Sequence, residues 1–180
     1  MYGIVNKAME DLIVENYGAS QWELIKEKGS VDVDYFLSNE PYDDDITYRL
    51  VGAASEVLGL AAREILIEFG KHWVLKTGRL KYGGLMEAGG SNLKEFFHNL
   101  PAFHNRVMLI YPNLTPPSFK ISHEEERSVR VHYYSQRNGL QDFVRGLLEG
   151  LGAMYDTPVQ VELIQSRNDG HDHEVFNVNW

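Results

Sequence analysis

The apolar residues of this chain change their period once, near Pro117, and any fold must satisfy both halves. Before that point they recur at the three-to-four-residue spacing of helices. Ile4, Val5, Ala8, Leu12 and Ile13 form one stripe, which Gly18 ends. Ser20 is positioned to cap a second helix holding Trp22, Leu24 and Ile25. Asp43, Asp44 and Asp45 precede Ile46, Leu50, Val51, Ala54, Val57 and Leu58, so three carboxylates fall where a helix N-terminus is electropositive, and Gly59 closes that helix. The spacing predicts a further helix from Ala61 to Lys76, through Ile65, Leu66, Phe69, Trp73 and Val74, stopping at Gly78. Gly83, Gly84, Gly89 and Gly90 read as a loop flanking a short helix. Ser91 then caps a helix with Leu93, Phe96, Phe97 and Leu100. Proline suits a first helical turn, so Pro101 predicts a new helix through Phe103, Val107, Met108 and Ile110 that ends near Pro112.

Beyond Pro117 the period is two. Phe119, Ile121 and His123 alternate with polar neighbours, Glu124 to Arg127 make a charged turn, and Val129, Val131 and Tyr133 alternate again, which predicts a hairpin. Gly139 to Tyr155 carries Leu140, Phe143, Val144, Leu147, Leu148, Leu151 and Met154 on one helical face. Val159, Val161 and Leu163 lead through Asn168, Asp169 and Gly170 to Phe176, Val178 and Trp180, a second hairpin. The expected fold class is α+β: a helical N-terminal subdomain packed on a C-terminal antiparallel sheet of about four strands with an inserted long helix. One domain is expected over 1–180, with a helical portion over about 1–60 and the rest in about 61–180.

Charge and composition remove several function classes. Seventeen Lys and Arg against 26 Asp and Glu give a net charge of −9, which repels a phosphate backbone and argues against a nucleic-acid partner. With no cysteine, disulfides, thiolate metal sites, iron–sulfur clusters and thioether-linked haem are all excluded. Lys7, Glu10, Asp11 and Glu15 interrupt the first apolar stripe, so Met1 to Gly18 is an amphipathic helix rather than a signal peptide, and no apolar run is long enough for a membrane span. A cytoplasmic protein without membrane association is expected. No nucleophile elbow, phosphate loop, dinucleotide fingerprint or zinc-protease motif occurs, so the chain does not read as an enzyme.

Tyr133, Ser135 and Arg137 share one face at strand spacing, and a phenol, a hydroxyl and a guanidinium together can grip an anion. The same residues also suit a core tyrosine, a capping serine and a surface ion pair. His104 lies in an apolar setting beside Phe103, Val107 and Met108, as a buried ligand or a hydrogen-bonded core histidine would. His72, His98, His123 and His132 have ordinary polar neighbourhoods. His171 and His173 flank Asp172, a set that reads as a solvated turn because no third ligand stands at zinc spacing.

Taken in order, His104, Thr115-Pro116-Pro117 and Tyr133-x-Ser135-x-Arg137 resemble the haem-nitric oxide/oxygen binding (H-NOX) family, and the likeness extends to the opening Met1-Tyr2-Gly3-Ile4-Val5-Asn6 and to Asp43–Asp45. The resemblance implies a non-covalent haem b between the helical portion and the sheet, with His104 on the iron and Tyr133, Ser135 and Arg137 on the propionates. It implies that Pro117 packs against the macrocycle and that an aspartate within Asp43–Asp45, Asp44 foremost, pairs with Arg137. Oxygen-binding members carry a tyrosine on the helix corresponding to Gly139–Tyr155; here that site falls at Phe143, or at Val144 with a one-residue offset, and neither has a hydroxyl. Ile4 or Val5, Ala8, Trp73, Leu140 and Leu147 complete a largely apolar lining, with the Trp73 indole a potential donor. The implied activity is binding of nitric oxide and carbon monoxide with little or no dioxygen. The implied output is in trans, to a histidine kinase or a cyclic-di-GMP enzyme, since 180 residues leave no room for an output domain. The alternative is a module that binds an apolar carboxylate, with Arg137 on the acid and no haem.

Overall fold

The computed structural model describes residues 1–110 and 117–180. Four helices open the chain: α1 (Gly3–Tyr17), α2 (Ala19–Lys28), α3 (Asp44–Leu58) and α4 (Ala62–His72). A π-helical turn over Trp73–Gly78 leads into α5 (Arg79–Glu87), followed by α6 (Leu93–Met108). The remainder is β1 (Ser118–Ser122), β2 (Ser128–Tyr134), α7 (Gln141–Met154), β3 (Gln160–Gln165) and β4 (Glu174–Asn179), and the antiparallel sheet has the order β1-β2-β4-β3. The α+β expectation holds, with α7 as the long helix between the two hairpins. None of the described helices is long and apolar enough to cross a membrane.

Several local expectations are corrected by packing. Ser20 caps nothing: α2 begins directly after Gly18, whose φ of 90° turns the chain between the two helices, and Leu24 faces solvent. Asn92, not Ser91, caps α6 by accepting the Glu95 N–H at 3.0 Å, while the Glu95 carboxylate reaches back to the Ser91 N–H at 2.8 Å. Pro101 does not start a new helix; it sits inside α6. Phe96, Phe97 and Leu100 before it and Val107 after it are all buried. At about 1.5–3 kcal/mol apiece, these four side chains outweigh the roughly 3 kcal/mol that an interior proline costs. The helix closes at Met108, and the end expected near Pro112 lies outside the described residues, as do Thr115 and Pro116.

The helix expected to stop at Gly78 continues instead through the π turn, and Gly83 and Gly84 lie within α5 rather than in a loop. The chain is diverted at Tyr82, whose φ of −128° and ψ of 17° depart from helical values. His72, which the sequence leaves among surface groups, is buried beside Glu15, and burial pulls its imidazole below the usual histidine range.

Buried side chains form two clusters. One joins α1, α2, α3 and α4 through Met9, Ile13, Trp22, Ile25, Leu50 and Phe69. The other joins the sheet to α5, α6 and α7 through Met86, Phe96, Phe97, Val131, Leu148 and Phe176. Val5 and Trp73 pack against both, so they mark the seam.

Two glycines bring α4 and α7 together across that seam. A Cβ on Gly70 would lie 2.2 Å from the Phe143 carbonyl oxygen, and one on Gly146 would lie 2.1 Å from the Ile67 carbonyl oxygen. Backbone, not flexible side chain, occupies both spaces, so a larger residue must push the helices apart. Gly146→Ala is therefore expected to destabilise the protein by about 1–3 kcal/mol or more, measured as a lower urea midpoint with an unchanged m-value.

Candidate functional site

The site forms where elements from both clusters meet. α1 contributes Ile4 and Val5, the π turn contributes Trp73, and α7 contributes Phe143, Val144 and Leu147. α6 adds His104, Val107 and Met108, and the sheet adds Phe119 and Tyr133, with Pro117, Arg137 and Leu140 from its connections. The void among them is about 910 Å³, counted out to where it opens into solvent. A second void of about 770 Å³ shares His104, Trp73, Tyr82 and Phe119 and runs on toward Phe96, Phe103 and Leu151.

Of the residues singled out from the sequence, His104, Tyr133, Arg137, Pro117, Ile4, Trp73, Leu140, Phe143, Val144 and Leu147 all line this one cavity. Two do not. Ser135 is not part of the lining but sits between Tyr133 and Arg137, its hydroxyl accepting the Arg137 N–H at 3.0 Å. Ala8 is buried in the helical cluster instead, because it lies about one helical turn beyond Ile4 and Val5. Tyr2 and Tyr82 also line the cavity, and the sequence reading missed both. Tyr82 was hidden by Gly83 and Gly84: a loop assignment there removed the helical phase that turns the phenol inward.

His104 is the one polar group set into the apolar wall on α6. Its ring meets Phe119 edge-on, with centroids 5.0 Å apart, and its Nδ1 is buried with no hydrogen-bond partner among the described residues. Burial alone lowers its pKa to about 4, so it is a neutral imidazole near pH 7. A buried nitrogen without a partner costs free energy unless something fills the position. Across the hairpin register Phe119 faces Tyr133, ring centroids 5.4 Å apart, and Tyr133 in turn faces Glu174 on β4. Burial pushes the Tyr133 phenol up, only partly offset by its hydrogen bond with Ser135, so it stays protonated and can donate.

Arg137 reaches the helical portion as well as the cavity. Its Nε donates to Asp44 Oδ2 at 2.7 Å and its Nη2 to Oδ1 at 3.3 Å. Burial raises the Asp44 carboxyl, but hydrogen bonds from the chain's amino group and from Arg137 outweigh it and hold the group below the usual carboxylate range. Asp43 accepts the Asp45 N–H at 2.9 Å, which starts α3 and aims Asp44 at the guanidinium. Phe143 stands between Phe69, at 4.9 Å, and Trp73, at 6.4 Å, which gives that part of the cavity an aromatic wall.

Two of the remaining histidines meet away from this cavity. On the outer face of the sheet His132 Nδ1 lies 2.9 Å from His173 Nε2, and His173 Nδ1 donates to Asp172 at 2.6 Å. Among the described residues no three histidine, aspartate or glutamate side chains converge as a metal site would require.

An apolar cavity with one buried imidazole, and a guanidinium and a phenol also in its wall, suits a flat apolar group that carries a metal and carboxylates. The model for the family described as haem-NO-binding matches residues 2–163. The chain belongs to the H-NOX family. Curated relatives are larger proteins: the soluble guanylate cyclase gcy-31 of Caenorhabditis elegans is 25% identical over 170 residues, covering 94% of this chain and 24% of its own length. The rat guanylate cyclase soluble subunit beta-2 is 31% identical over 120 residues, covering 63% of this chain and 18% of its own. This H-NOX chain thus spans about a quarter of the first of these relatives. Among solved structures, the Fe(II)NO form of an H-NOX protein from S. oneidensis superposes with a TM-score of 0.87 at 19% identity, covering 99% of this chain and 98% of that one. The unliganded Fe(II) H-NOX protein from K. algicida superposes with a TM-score of 0.85 at 20% identity, covering 99% and 96%. These matches establish the H-NOX fold.

The His104 environment carries a pH dependence in the haem-free protein. Its folded pKa of about 4 lies below the ordinary value of 6.5, so the unfolded chain binds the extra proton first. Stability contributed by this site is full above pH 6.5, falls between 6.5 and 4, and levels off below that. His104→Leu removes this one-proton slope, which denaturation of the apoprotein at pH 7, 5.5 and 4.5 would detect as a smaller loss of stability on acidification than in the parent.

Proposed function

We propose that this H-NOX chain is a haem-based gas sensor that binds nitric oxide and carbon monoxide with little or no dioxygen, and signals in trans. The observation that carries the reading is His104, a neutral imidazole whose buried Nδ1 has no partner among the described residues, in the wall of an apolar cavity that also holds Tyr133 and Arg137. The cofactor is haem b, held without covalent bonds because the chain has no cysteine to form thioethers. His104 is the metal ligand. Tyr133, Ser135 and Arg137 hold the propionates, and Pro117 packs against the macrocycle. Ile4, Trp73, Leu140, Phe143, Val144 and Leu147 form the remaining wall. The unit extends over 1–180 and acts by binding, not catalysis.

A ferrous haem held there by His104 would supply an iron able to take up a diatomic gas. A hydrogen-bond donor in the surrounding wall would favour dioxygen, whereas nitric oxide would need none. Phe143 and Val144 offer no hydroxyl. A changed pull on His104 would act first on α6, which packs against α5 and β1. For this to be signalling, a partner must bind the two arrangements with free energies differing by about 1–3 kcal/mol. A histidine kinase or a cyclic-di-GMP enzyme is the proposed partner class. Relatives in which the matching segment is part of a guanylate cyclase support a sensing role.

One series of absorption spectra tests the reading. The reduced, haem-loaded protein is expected to change its Soret band with nitric oxide and with carbon monoxide but not with air. His104→Ala should lose the parental band and regain a similar one when imidazole is added. A protein that stays colourless and takes up no haemin would sink the haem reading and favour an apolar carboxylate as the ligand.

A further inference from the structure

We propose that Arg167 is a positioning residue for the haem carboxylates: it holds the backbone of the Ser135–Arg137 segment in the conformation that turns Tyr133, Ser135 and Arg137 toward an anion. The inference rests on the haem reading above and goes beyond it to a residue outside both the Tyr-x-Ser-x-Arg motif and the cavity lining. Arg167 opens the short 3₁₀ turn over Arg167–Asp169, between β3 and β4. Its Nη1 donates to the Ser135 carbonyl at 2.7 Å and its Nη2 to the Arg137 carbonyl. Its Nε faces both oxygens of Glu174, at 2.9 and 3.1 Å.

The sheet cannot do this work. The β2 pairings end at Tyr133 and Tyr134, so the carbonyls of Ser135 and Arg137 lie past the last strand partners. A planar guanidinium can span two carbonyls and a carboxylate at once, whereas a lysine ammonium is a single point charge. Glu174 is only 2% exposed and stands opposite Tyr133 in the register, so it neutralises Arg167 inside the fold. The pair adds no net charge toward a ligand. Its effect is therefore geometric: it fixes the segment whose Ser135 hydroxyl already accepts the Arg137 N–H.

The test compares haemin with haemin dimethyl ester, whose carboxylates are capped, by following their transfer to excess apomyoglobin. The variants are Arg167→Lys and the double replacement Arg167→Met with Glu174→Met. The double variant leaves no buried carboxylate unpaired and carries the test if the single variant fails to fold. Both are expected to lose haemin about tenfold faster than the parent, the scale set by loosening charge-assisted hydrogen bonds. Loss of the dimethyl ester should stay within about twofold of the parent. Unchanged haemin loss, or equal acceleration for both haemins, overturns the positioning role and leaves the haem reading intact. A parent protein that takes up neither haemin overturns the haem reading itself.

Discussion

The architecture depends on how closely α4 and α7 approach one another. Gly70 and Gly146 let the two helices meet backbone to backbone, and no other residue type leaves that space. The contact ties the helical cluster to the sheet cluster and sets where Phe143, Val144 and Leu147 stand relative to Trp73. The cavity is the space left beside this contact, at the seam marked by Val5 and Trp73. Closing it with side chains would need the helices to move, and the glycines hold them.

Within that frame polarity is rationed. The cavity wall is mostly apolar, and the polar side chains in it are few: His104 on α6, Tyr133 at the end of β2, Arg137 just beyond it, the phenols of Tyr2 and Tyr82, and the Trp73 indole. The two guanidinium groups beside Tyr133 and Ser135 each have a counterpart. Arg137 is matched by Asp44 and Arg167 by Glu174, so neither guanidinium is left uncompensated. The Asp44–Arg137 pair also spans the seam, because Asp44 begins α3 while Arg137 follows β2. Contact between the two portions therefore draws on the same guanidinium that is proposed to hold a haem carboxylate.

The helices and strands were legible wherever the apolar period was long and clean, as in α1, α3, α7 and the two hairpins. Apart from the caps expected at Ser20 and Ser91 and the exposed Leu24, the errors fell on glycine and proline. Gly83 and Gly84 are poor helix formers, yet they sit in α5; Pro101 lacks a donor, yet α6 runs through it because its buried face is worth more than one hydrogen bond. The same errors hid Tyr82. At the site, His104 and the Tyr133 to Arg137 set stood out through a family resemblance, since their spacing alone suited a core histidine and a surface ion pair equally well. Arg167 gave no sequence signal, because its partners are backbone carbonyls some 30 residues earlier.

By itself the sequence determined the change from helix to sheet at Pro117, the absence of thiol chemistry, and the residue types on offer to a ligand. These follow from local periodicity and composition, which the chain carries without folding. Tertiary structure alone decided that His104 is neutral and without a partner for its Nδ1 among the described residues, that ten of the expected residues share one cavity, and that the Ser135 hydroxyl accepts the Arg137 N–H. Those properties are set by burial and by distances between segments far apart in the chain, so they come into being only when the helices and the sheet close on each other.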